Sequence, residues 1–182
     1  MRKLLVTTVI AIVALILVAP RFVRWTKNRA SIPVGTAGLR LAVLQRTFVD
    51  SNTVADSNDV TAVVMDWNMG GGIISTLVAY TDGKTSLYVS PGKVLTTTSS
   101  ENVRESAERF RAAVARRADQ FSTTADFDPL AKGHVRFYFI TRTGTFATLS
   151  YQTVILENEG QPLHALLAAG QAAVAAIQQQ GS

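Results

Sequence analysis

The chain has 182 residues and a formal net charge of +5, with 18 Lys+Arg against 13 Asp+Glu and a pI near 9.9. Six of the cations (Arg2, Lys3, Arg21, Arg24, Lys27 and Arg29) lie in the first thirty residues, which hold no acid, so residues 31–182 carry 12 Lys+Arg and 13 Asp+Glu, a net of −1. That distribution argues against nucleic acid as a partner, and the absence of cysteine excludes disulfides, a thiol nucleophile and thiolate metal sites.

The N-terminal cations flank the one long apolar run. Leu4 to Ala19 reads LLVTTVIAIVALILVA, without a charge. Crossing a bilayer core takes about 20 apolar residues at ~1.5 Å each, and Phe22, Val23 and Trp25 extend the run past Pro20. Residues 1–30 are therefore expected to be an uncleaved single-pass anchor, spanning about 4–23 and meeting lipid through 4–25. Arg21 and Arg24 can snorkel to the headgroups, with Phe22 and Trp25 at the interface. A cleaved signal peptide is the competing reading; against it, Leu17 fills the first small-residue position before a cut at Ala19, and Pro20 would follow the cut. The expected location is a membrane, of the bacterial inner-membrane type. The charges before and after the span nearly balance, so they assign no side to the rest of the chain.

Residues 31–38 read as a linker, with Pro33, Gly35 and Gly38 acting as helix breakers. Residues 39–182 are expected to form a single α+β domain of element order α-βββ-α-ββ-α, a roughly five-stranded antiparallel sheet covered by helices. Leu41, Leu44 and Phe48 mark a short helix over Leu39–Val49. Thr61–Trp67, Ile73–Tyr80 and Thr85–Val89 read as strands, the last two joined at Asp82-Gly83, and Pro91-Gly92 ends the meander. Thr98 to Phe121 is the strongest helix signal, with Thr98 and Glu101 as a capping box and Val103, Ala107, Phe110, Val114, Ala118 and Phe121 on one face. Val135–Thr141 and Thr145–Gln152 form a hairpin around Thr143-Gly144, and Pro162 opens an alanine-rich helix to about Gln179. The element order is similar to that of roadblock- and profilin-like domains, an analogy of order alone that assigns no function.

The oddest local feature is Gly70-Gly71-Gly72 after Asp66-Trp67-Asn68-Met69. Three glycines cost backbone entropy, so something requires them. One reading is a binding loop formed by Asp66, Trp67, Asn68, Gly70, Gly71 and Gly72, with Trp67 as aromatic anchor. The other is a bend between two strands with Trp67 capping the core. Gly83-Lys84-Thr85 imitates the end of a phosphate-binding loop, but Val78 stands where that loop needs glycine, and a strand follows instead of a helix. The oxygen-rich Asp50–Asp59 loop lacks calcium-loop spacing. His134 and His164 have no partner at metal-ligand spacing, and Asp126 with Asp128 reads as turn chemistry. No metal or cofactor is expected.

These readings combine into a single-pass membrane-anchored protein whose domain is non-catalytic and binds a protein partner or a second copy of itself. The alternative is a membrane-tethered hydrolase or small-molecule-binding enzyme, which would need Asp66, His134 and a hydroxyl brought together in space.

Overall fold

The computed structural model describes residues 36–45, 60–90, 92–97 and 100–180. The chain divides after Pro33, and every described residue lies in the second unit, 34–182. The expected anchor, with Arg21, Phe22, Arg24 and Trp25, lies outside the described residues, as does the Asp50–Asp59 loop. Among the described residues no helix is long and apolar enough to cross a membrane.

The second unit is α+β, built on one antiparallel sheet of eight strands. In chain order the elements are α1 (Thr36–Leu44), β1 (Val60–Gly70), β2 (Ile73–Tyr80), β3 (Thr85–Val89), β4 (Lys93–Thr97), α2 (Glu101–Ala115), a 3-10 turn (Ala118–Gln120) and β5 (Ser122–Thr123). They continue with β6 (His134–Thr141), β7 (Thr145–Ala147), β8 (Tyr151–Gln152), α3 (Thr153–Leu156) and α4 (His164–Gln180). The sheet order is β4-β3-β2-β1-β6-β7-β5, with β8 also pairing β6.

The sheet exceeds the five strands expected, for two local reasons. The meander does not end at Gly92: Gly92 N donates to Val89 O at 3.0 Å, and β4 folds back along β3 from Lys93↔Val89 to Thr97↔Thr85. The expected strand over 145–152 breaks in two because the Thr148 hydroxyl takes the Phe137 N–H at 3.3 Å, a bond that a strand carbonyl would otherwise accept.

The helix boundaries also move. α1 begins at Thr36, inside the expected linker, and carries Gly38 buried within it. The capping box does not form as read: α2 starts at Glu101 after Ser100, and Glu101 pairs with Arg104 at 2.6 Å. Thr98 lies outside the described residues. α2 stops at Ala115, leaving Ala118 exposed, while Phe121 reaches back to Phe139 with ring centroids 5.0 Å apart.

Both faces of the sheet are covered. On the first, Val63, Met65, Leu77, Leu87 and Phe137 pack with Val103, Phe110 and Val114 of α2 and Leu166, Leu167 and Ile177 of α4. On the second, Ala62, Val64, Val78, Tyr138 and Ile140 pack with Val43 and Leu44 of α1. Residues 62–66 of β1 are therefore buried on both sides, which is why Ala62 to Met65 reads as a continuous apolar run instead of an alternating one. α4 approaches closely: a Cβ on Gly170 would lie 2.5 Å from Met65 Sδ.

Candidate functional site

β1 alternates its side chains between the two faces, which separates the residues singled out in sequence. Asp66 follows Ala62 and Val64 onto the second face and is fully buried. Arg40 of α1, also buried, meets it there: Arg40 Nε donates to Asp66 Oδ2 at 2.8 Å, and the second nitrogen lies 2.6 Å from the same oxygen. Thr76 Oγ1 donates to Asp66 Oδ1 at 2.6 Å. Arg40 also donates to the Phe127 carbonyl at 2.7 Å, tying the loop before β6 to α1. Burial works against the Arg40 charge, but the hydrogen bond and charge of Asp66 outweigh it and hold the guanidinium above its ordinary value.

Next to this pair, Tyr138 Oη and Arg136 Nε are buried without a hydrogen-bond partner. Burial pushes the Tyr138 hydroxyl above the usual tyrosine range, and the Asp66 charge adds to the effect. Arg136 reaches outward to Asp126 at 3.0 Å. Asp126 is held below the usual carboxylate range, first by the Asp128 N–H and then by Arg136. The acidic pair is thus a turn with an ion pair, as its spacing suggested.

Asn68 braces the segment before β6. Its amide donates to Leu130 O at 2.7 Å, its carbonyl side-chain oxygen accepts from Gly70 N at 2.9 Å, and its backbone carbonyl accepts from Gly133 N at 2.7 Å. The glycines have three distinct positions. Gly71 and Gly72 form the exposed two-residue turn between β1 and β2, at φ +63° and +79°. Positive φ at both places is what a type I′ hairpin turn demands. Gly70, at φ +85°, lies under Lys132, where a Cβ would meet Cε at 2.8 Å. Positive φ at all three positions therefore accounts for the triplet.

Trp67 and Met69 remain. Trp67 lies half-buried against the first core. Met69 is bulged, because Asn68 pairs with Ile74 and Gly70 with Ile73, and it is 43% exposed. Together they border a groove of about 480 Å³ whose other side is Lys132, Val154 and Glu157. Val154 is 69% exposed, and neither Lys132 nor Glu157 has an ion-pair partner among the described residues.

The other residues considered in sequence do not converge here. His134 Nδ1 lies 3.1 Å from Ser150 Oγ, and His164 Nδ1 lies 2.9 Å from Leu156 O. No hydrogen bond among the described residues joins Asp66 to His134, and no group of three acidic or imidazole side chains there could hold a metal. Lys84 folds onto Asp82 at 2.8 Å in the β2–β3 turn, with Thr85 buried in the following strand.

Arg40, Lys132, Val154 and Glu157 were not singled out from the sequence. Arg40 had a signal, since it precedes Val43 and Leu44 by three and four residues and so shares their helix face. The remaining three are brought to Trp67 only by folding. No protein-family model matches the chain, and neither the curated proteins nor the solved structures include one similar to it.

Proposed function

We propose that the chain is a single-pass membrane protein whose α+β domain is a non-catalytic module for binding a partner protein or a second copy of itself. The groove between Trp67-Met69 and Val154 is its contact surface. The observation that carries this reading is the pairing of exposed apolar side chains, Met69 and Val154, with a half-buried tryptophan and two uncommitted charges at one groove. Aromatic anchors with a polar rim are the usual composition of a contact surface. The basic-flanked apolar run at Leu4–Ala19 supports the anchor.

The alternative, a membrane-tethered hydrolase or small-molecule-binding enzyme, draws on one observation, the His134–Ser150 contact at 3.1 Å. Asp66 is unavailable to it, because Arg40 and Thr76 engage both carboxylate oxygens.

Because the chain has no cysteine, Val154→Cys and Met69→Cys each introduce a single thiol. In alkali-washed membranes from expressing cells, both variants should be retained. A thiol crosslinker should link each of them to one discrete protein, with Trp67→Ala reducing the yield severalfold. Glu105→Cys, on the exposed side of α2, should give no product. Release of the protein by the alkaline wash refutes the anchor. Retention with only monomer at both positions refutes the groove.

A further inference from the structure

We infer that the end of the sheet carrying the Gly71-Gly72 turn rests on a lipid surface, the bilayer to which the chain's own anchor would hold it. The inference rests on the anchor of the proposed function and goes beyond it, because it assigns a face of the α+β domain to lipid.

The two ends of the sheet differ. Trp67, just before the turn, pairs with Val135, and Val135 pairs with Tyr151, which brings the residues around β8 and α3 to this end. Eight large apolar side chains are exposed among the described residues, and five of them lie here: Met69, Ile73, Leu149, Val154 and Ile155. Only Val60 stands at the opposite end, where it pairs with Thr141. Exposed apolar side chains scattered singly need no partner, but gathered at one end they mark a surface that is covered in use.

The chemistry around them suits the interfacial layer of a bilayer. Residues 143–156 hold no charged side chain, and Tyr151 stands half-buried among them, with the apolar body and polar tip that the interface favours. Lys132 and Glu157 lie at the same end and offset each other, so apolar contact rather than attraction to anionic lipid is what this end offers.

Lipid is identified as the occupant by where the chain enters. Thr36, the first residue of α1, is buried and lines a small cavity with Ile74 and Ser90. Ser90 Oγ donates to the Gly72 carbonyl at 3.0 Å and accepts from Ile74 N at 2.9 Å. The N-terminal segment is therefore attached at the apolar end. Ten residues separate Thr36 from Trp25, the last residue expected to meet lipid, and the chain between them reaches at most about 40 Å when extended. With this end tethered at the bilayer, insertion of its side chains is intramolecular and needs little intrinsic affinity. Met69 and Val154 border the groove, so the groove opens at the membrane surface and its partner is a membrane-resident protein or a second anchored copy.

The test uses the full chain with a single introduced cysteine, labelled with an environment-sensitive fluorophore. The protein is reconstituted in phosphatidylcholine vesicles with and without a lipid bearing a nitroxide near the top of its acyl chain. Leu149→Cys and Ile155→Cys should be quenched severalfold more than Lys84→Cys, which lies in the exposed β2–β3 turn at the opposite end. Val154→Asp should abolish the quenching at Leu149→Cys; quenching that survives it signals insertion driven by the fluorophore and overturns the proposal. Retention of the chain in alkali-washed vesicles, with no quenching or equal quenching at all three positions, overturns the proposal and leaves the anchor standing. Release by the wash refutes the anchor and this proposal with it. Quenching at Leu149→Cys and Ile155→Cys without groove crosslinks at Val154→Cys supports the lipid face and refutes the groove alone.

Discussion

The Arg40–Asp66 pair sets the energetics of the second face. Two charges taken from water are tolerable only while they satisfy each other, and removing one leaves the other buried and uncompensated, at a cost of about 3–5 kcal/mol. Asp66→Ala should therefore lower unfolding free energy by that order in urea titrations followed by tryptophan fluorescence. Replacing both residues with apolar ones (Arg40→Met with Asp66→Leu) should recover most of the loss. A single-variant cost under about 1 kcal/mol would mean that water reaches the site.

Tyr138 behaves in the opposite way. Its hydroxyl lies beside Arg136 and Arg40 without a well-formed hydrogen bond, so Tyr138→Phe should be close to neutral at pH 8. Because burial raises its folded pKa, the neutral phenol stabilises the fold fully below about pH 10, the unfolded value. That contribution fades as pH rises above it. The wild-type urea midpoint should fall between pH 9 and pH 11, and the phenylalanine variant should fall less. At this scale the sequence was only partly readable. An acid beside three glycines suggests an exposed loop, and its true setting appears only when residues 40 and 66 are brought face to face.

Among the secondary-structure elements, α4 shows how packing overrides propensity. Alanine exceeds glycine as a helix former by about 1 kcal/mol, yet a Cβ at position 170 would meet Met65 Sδ at 2.5 Å and Cε at 3.1 Å. Overfilling a packed core costs about 1–3 kcal/mol, so Gly170→Ala should be net destabilising. In a Met65→Ala background the same change should become stabilising. That reversal of sign, read from thermal melts of the four variants, identifies the contact. The long elements were legible because each carries its own signal. The 3.6-residue stripe of α2 marked Val103, Ala107, Phe110 and Val114, and Asp82-Gly83 marked its hairpin. The strands β4 and β5, of five and two residues, were not legible, because strands so short take their conformation from the neighbour they pair with. The end of α2 was overrun because Phe121 continues its apolar spacing while reaching the core from an extended backbone.

Across the whole molecule, the α+β class followed from element order alone, and the structure bears it out with a larger sheet than expected. The undercount lies toward the ends of the sheet: the central strands β1, β2, β3 and β6 were each expected, whereas β4 and β5 were not and the strand expected over 145–152 is divided into β7 and β8. The charge asymmetry, by contrast, is a property of composition and needs no fold to be read. The described residues themselves carry nearly balanced charge, so a partner at the proposed groove beside Trp67 would be selected by shape and apolar contact rather than by long-range attraction.

α1 is the first described element after the N-terminal segment, and it is joined to β1, to the Phe127 carbonyl and, through Leu44 O, to Thr145 Oγ1 at 2.8 Å. Tension transmitted along the backbone from residues 1–35 thus arrives at this helix before any strand. It would be resisted in shear by a guanidinium fork and a hydroxyl, and the sheet would bear load only after those bonds yield. Under such a load the Arg40 bonds to Asp66 and Phe127 would be among the first to be strained.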